Sequence, residues 1–167
     1  MNDKTSVFTI RIPGALSEIR SAVAVANPKG TGKIYRTLAV WDTGSPICFI
    51  SEKLMKCLGL KFKAGISGRG FFGDGCTTYG TVAVRLVSGG RFFTVSAAVV
   101  EDLHRGADCQ MLIGMNLIAK GQLSLSYKDG VSTFSFALPA VDAPDLTDSA
   151  ENHGILIDSD NLDLCEI

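Results

Sequence analysis

The stretch AVWDTGSPICFIS, residues 39–51, sets one carboxylate, Asp42, at the end of an apolar run and follows it at once with Thr43, Gly44 and Ser45. Desolvating an isolated charge is costly, so a carboxylate kept in such a place is either paired or put to use. Few other residues offer chemistry. The two histidines, His104 and His153, are too few for an evident metal site and have no nucleophilic Ser or Cys in a recognisable setting, so both are expected at the surface. The five cysteines, Cys48, Cys57, Cys76, Cys109 and Cys165, are odd in number and lack C-x-x-C spacing. That argues against a disulfide framework and a zinc site, and for reduced thiols.

Two glycine-rich stretches imitate nucleotide-binding motifs. GRGFFG, residues 68–73, has the letters of G-x-G-x-x-G, but the following DGCTTYGTVAV reads as a turn and a strand, where the dinucleotide fingerprint needs a helix N-terminus. GTGK, residues 30–33, has Asn27 in place of the leading glycine and Ile34 after the lysine, which leaves a hairpin turn. No cofactor and no metal is expected.

The elements that must position Asp42 are mostly strands. Residues 6–13, 21–28, 33–42, 77–87, 91–100 and 122–138 are rich in β-branched and aromatic residues, and several alternate with period two. Gly-containing turns, NPKGTGK, SGG and YKDG, separate or interrupt them. Helix is expected only at 51–60, with a Ser51 N-cap and Gly59 as its stop, and at 115–121, ended by Gly121. The expected fold is all-β, a small barrel or sandwich with one or two short helices.

The chain has 167 residues, 46% of them apolar, with mean hydropathy +0.25, which suits one compact domain. A net charge of −1 and a pI near 6.1 recommend neither nucleic acid nor an anionic membrane as partner. No apolar run reaches the roughly 18 residues of a membrane span. The opening MNDKTSVFTIRIPG lacks the apolar core of a secretory signal, so a cytoplasmic location is expected. Residues 1–140 are taken as the domain. Residues 141–167 hold eight acidic residues and no Lys or Arg, the composition of a solvated, flexible tail.

Asp-Thr-Gly-Ser after an apolar strand, a glycine-rich hairpin, and then MLIGMN at residues 111–116 together resemble the retropepsin-like, or retroviral-type, aspartic proteases, especially their bacterial single-domain members. The resemblance spans roughly residues 20–136. It implies a small closed barrel acting as a homodimer, in which Asp42 is catalytic and Thr43, Gly44, Ser45, Leu112, Ile113 and Gly114 support its loop. It also implies that Thr43 reaches across to a second loop and that Ser45 bonds the outer oxygen of the carboxylate. The chemistry needs two carboxyls, one to deprotonate a water and one to donate to the peptide carbonyl, and the pair shares one proton because both cannot ionise together. The chain has only one D-T-G, so the second aspartate comes from a second chain. Residues 6–13 and 131–138 are then the candidates for strands shared between subunits.

In this resemblance residues 65–80 form the flap over a bound peptide, with Gly68, Gly70 and Gly73 giving it freedom and Phe71 and Phe72 touching substrate. Trp41 departs from the smaller aliphatic residue common before the aspartate, and Met115 replaces the arginine of many viral members. The implied activity is that of an aspartic endopeptidase acting on protein or peptide. The alternative from another class is a catalytically silent retropepsin-like dimer that binds peptides or assembles a complex.

Overall fold

The structure is a computed structural model, and it describes residues 6–30, 32–70, 73–88 and 90–141. Ten strands and two short helices follow one another in the order β1 (Ser6–Pro13), β2 (Ile19–Ala26), β3 (Tyr35–Trp41), β4 (Cys48–Ser51), α1 (Glu52–Cys57), β5 (Lys63–Gly70), β6 (Gly73–Arg85), β7 (Phe93–Val100), β8 (Cys109–Ile113), α2 (Met115–Ile118), β9 (Gln122–Lys128) and β10 (Val131–Leu138). Strands β2, β3, β8, β4, β7 and β6 lie side by side in that order, and β2 pairs again with β6, so the six close into a barrel. Closure removes the sheet edges that an open arrangement of these strands would expose. Strand β5 continues past the barrel as the second arm of a hairpin with β6.

Alternation sets the core. Val23 and Val25 of β2, Ala39 and Trp41 of β3, Val82 and Val84 of β6, and Met111 and Ile113 of β8 all face inward and are buried. A second, three-stranded sheet, β1-β10-β9, covers one end of this core. Phe134 and Phe136 of β10 are buried, and with Phe8 of β1 they surround the Trp41 indole at ring-centroid distances of 4.7–5.9 Å. The indole N–H donates to Ser21 Oγ at 2.8 Å, which satisfies a buried donor. The residue that departs from the common pattern before the aspartate is thus the pin between barrel and terminal sheet.

The expected strands all appear, and 122–138 divides at Asp129 and Gly130, whose positive φ values of 52° and 77° make the turn between β9 and β10. Strands β4 and β8 were not foreseen as strands, and β5 was foreseen only as an arm of the flap hairpin at 65–80. Helix α1 has the expected Ser51 cap, whose hydroxyl accepts from Leu54 N–H at 3.0 Å, and Gly59 leaves it at φ 59°. Helix α2 is only four residues long. Gly121 belongs beyond it for lack of room: a Cβ there would stand 2.3 Å from the Ala137 carbonyl oxygen. Strands β1 and β10, the candidates for sharing between subunits, pair with each other along their full length within one chain. No helix among the described residues is long and apolar enough to cross a membrane. The tail from Asp142 onward lies outside the described residues.

Candidate active site

Strand β8 lies between β3 and β4, parallel to β3 and antiparallel to β4. The chain leaving β3 must therefore cross over the end of β8 to reach β4, and the crossing is made by Asp42–Ile47. Asp42 N–H donates to Ile113 O at 3.0 Å, which extends the β3–β8 ladder one residue beyond the strand and fixes where the aspartate begins the loop. Its carboxylate is half-buried, and Oδ1 accepts the Gly44 N–H at 2.9 Å. A carboxylate held by a backbone N–H in the following turn needs no cation to fix its orientation.

Glycine at 44 answers to space. A Cβ there would sit 3.2 Å from Asp42 Oδ1, the atom the residue's own N–H is bonding. Thr43 and Gly44 are exposed at the tip of the turn. Ser45 is buried, and its hydroxyl donates to Ile47 O at 2.8 Å, not to the outer carboxylate oxygen as expected from the resemblance. Its role is to close the loop on itself.

Gly114 is the tightest point. A Cβ there would meet Ile47 O at 2.2 Å, Ile47 C at 2.4 Å and Ser45 O at 2.9 Å, all backbone. The crossing loop lies directly on Gly114 and is held there by Met115 N–H to Ser45 O, 2.8 Å, and Asn116 N–H to Pro46 O, 3.1 Å. Ile113 supplies the carbonyl under Asp42, and Leu112 is buried between Val40 of β3 and Phe49 of β4. The apolar-apolar-Gly element thus does lie beneath the aspartate loop.

Two further residues belong to this support, and sequence reading gave neither a role. Asn116 Oδ1 accepts both the backbone N–H and the thiol of Cys48 at 3.0 Å, and its Nδ2 donates to Ser96 O at 2.7 Å. Cys48 Sγ in turn accepts the Gly114 N–H at 3.4 Å. Burial pushes the Cys48 thiol up to about 11, against the smaller opposing pull of the Gly114 N–H and Lys120, so at neutral pH it is a protonated donor. One asparagine side chain therefore ties α2 to β4 and β7.

The expected flap falls on the β5–β6 hairpin, where Gly68 pairs with Gly75 and Gly70 with Gly73. Phe71 and Phe72 lie outside the described residues. Behind the hairpin, Gly80 gives way to the Phe62 ring, since a Cβ there would stand 1.9 Å from Phe62 Cδ1. Among the described residues no group of three or more His, Cys, Asp or Glu side chains is placed to hold a metal ion.

A family model described as aspartyl protease matches residues 29–117, which is the barrel from the β2–β3 turn through α2. Among solved structures, a retropepsin-like aspartic protease from Rickettsia conorii is similar with TM-score 0.53 and 18% identity, over 81% of this chain and 96% of that one. EIAV protease in complex with an inhibitor gives TM-score 0.45 and 14% identity over 62% of this chain and 86% of its own. The retroviral protease-like domain of Ddi1 from Leishmania major gives 0.43 and 15% over 68% and 90%. No curated protein is significantly similar to the sequence. With the family model covering more than half of the chain, and with a barrel whose crossing loop carries Asp-Thr-Gly over Leu-Ile-Gly, the chain belongs to the aspartyl protease family, with a retropepsin-like fold.

Proposed function

We propose that the protein is an aspartic endopeptidase that hydrolyses peptide bonds with a dyad of Asp42 residues from two subunits and an activated water. The observation that carries this reading is the crossing loop, where Asp42 is half-buried, bonded by the Gly44 N–H and braced from below by Ile113 and Gly114. One carboxyl cannot accept the proton of water and donate to the carbonyl at once, so two copies of the loop are needed. Thr43, exposed beside Asp42, is free to bond the other loop. Leu125 and Tyr127 of β9 support a homodimer: they continue the face of Phe134 and Phe136 past the barrel and remain 53% and 61% exposed. The β5–β6 hairpin serves as the flap, with Gly68, Gly70 and Gly73 in its arms, and peptide is the substrate class. Residues 1–140 form the protease domain and 141–167 an acidic tail.

The test compares wild type with Asp42→Asn on a proteome-derived peptide library, with sequencing of the cuts. The amide is close in shape but cannot act as a base, so cleavage is abolished while the unfolding midpoint stays near that of wild type. Activity within tenfold of wild type, roughly 1.4 kcal/mol of barrier, would refute the aspartic mechanism. The silent peptide-binding dimer is the outcome if wild type binds library peptides and cuts none.

A further inference from the structure

Charge is divided along the chain. Residues 1–141 contain all sixteen Lys and Arg against nine Asp and Glu, a formal +7, whereas residues 142–167 contain eight acidic residues and no basic one, a formal −8. The near-neutral net charge of −1 is therefore the sum of a basic body and an acidic tail. Joined on one chain, two such parts are each at high effective concentration toward the other.

The structure places the basic charge where the tail leaves. Strand β10 ends at Leu138, paired with Ser6, and the Ser6 hydroxyl lies close enough to the Val87–Gly90 turn to stand 3.7 Å from a Cβ placed on Gly90. Two residues before that turn is Arg85, whose guanidinium lies 4.9 Å over the Phe92 ring. Arg85 is the direct partner of Ala24, and Ala24 is the direct partner of Arg36, so the three form a row across β6, β2 and β3 on the outer face of the barrel. Adjacent strands are about 5 Å apart, which puts the two arginines ~10 Å apart with only a methyl group between them. Lys29 and Lys33 extend the same charge along the β2–β3 turn. Among the described residues no carboxylate is within ion-pair distance of Arg36, Arg85, Lys29 or Lys33. Glu18 is taken by Arg20 and Arg105, and Asp108 lines, together with Arg36, a cavity of about 280 Å³.

We propose that residues 142–167 fold back in cis onto this basic face, so that the surface around Arg85, Ala24 and Arg36 is a docking site for an acidic peptide and the chain's own tail is its occupant. The twenty-six tail residues span up to ~85 Å when extended, far more than the row requires. The proposal rests on charge and placement and stands whether or not Asp42 is catalytic.

Cys165 provides the probe. A nitroxide is attached there in the full chain with Cys57→Ser and Cys76→Ser, while Cys48 and Cys109 are buried. At low salt, amide signals of β2, β3 and β6 around Ala24 lose intensity and those of β9 do not. The loss disappears near 1 M salt, where the screening length falls to ~3 Å, and in the combined variant Lys29→Glu, Lys33→Glu, Arg36→Glu, whose three positions are exposed. No loss around Ala24, or loss spread evenly over the surface, overturns the proposal. So does loss that appears only when spin-labelled chains are mixed with separately isotope-labelled ones, since the tail would then occupy another copy.

Discussion

Replacing Gly114 with alanine tests the idea that the aspartate loop is held by contact with the strand end beneath it. The added methyl would begin 2.2 Å from Ile47 O and 2.4 Å from Ile47 C, whereas carbon and oxygen in non-bonded contact stand about 3.3–3.6 Å apart. No side chain can rotate away, because every obstructing atom is backbone, so the crossing loop must retreat by about 1 Å. Overpacking of that kind costs ~1–3 kcal/mol. The retreat also pulls on Met115 N–H to Ser45 O and Asn116 N–H to Pro46 O, each worth ~0.5–1.5 kcal/mol. Together the expected loss is about 2–6 kcal/mol, read from the shift of the urea midpoint at constant slope. Gly44→Ala is the comparison: its methyl meets only Asp42 Oδ1, at 3.2 Å, and should cost less than ~1 kcal/mol. Peptide cleavage should fall with Gly114→Ala even where the variant is folded, because Asp42 starts the displaced loop. A Gly114→Ala protein within ~1 kcal/mol of wild type would show that the loop is not seated on this residue.

Trp41→Ala should cost ~3–5 kcal/mol in denaturant unfolding, since it empties the centre of the Phe8, Phe134 and Phe136 cluster and strands the Ser21 hydroxyl. The Cys48 thiol, raised from 9.0 to about 11 by burial, ionises earlier in the unfolded chain than in the folded one, so the stability it contributes is complete below pH 9 and is lost as pH rises toward 11. Across that window wild type should lose roughly 3 kcal/mol more than Cys48→Ser, and parallel stability curves would refute the assignment. Specific activity should fall on dilution through the dimer dissociation range, and excess Asp42→Asn chains should poison wild type; a monomer by light scattering that cleaves at full rate would place both carboxyls in one chain.

The part of the site legible in the sequence was the part written in adjacent residues. Asp-Thr-Gly-Ser and Leu-Ile-Gly are short motifs, and the structure brings them into direct contact through Asp42 N–H and Gly114. Strand β8 was harder to see as a strand because all five of its residues are buried, which erases the alternation that marks a half-exposed strand. Strand β5, KAGISGRG, carries three glycines and no strand pattern of its own, so only the resemblance to a flap hairpin pointed to it. The Cys48–Asn116 contact joins residues sixty-eight positions apart, and no local pattern announces a bond of that range. Ser45 misled for the opposite reason. Its hydroxyl has a carbonyl two residues away, and that short link is made in place of one to the carboxylate.

Trp41 and Asp42 are consecutive, which gives the terminal sheet a direct hold on the site. The indole is clamped between Phe134, Phe136 and Phe8, while the next peptide N–H is already bonded to Ile113 O and begins the crossing loop. One residue therefore separates the packing of β1 and β10 on the barrel from the start of the aspartate loop. In the proposed dimer the apolar overhang of β9, Leu125 and Tyr127, is the surface a second subunit would cover, and β9 is bonded to β10 along seven residue pairs. If a second subunit covers that sheet, β10 and Trp41 are the path by which the contact would bear on Asp42. A large indole at this position is the means of that connection: a smaller aliphatic side chain would reach neither the Ser21 hydroxyl nor both β10 rings.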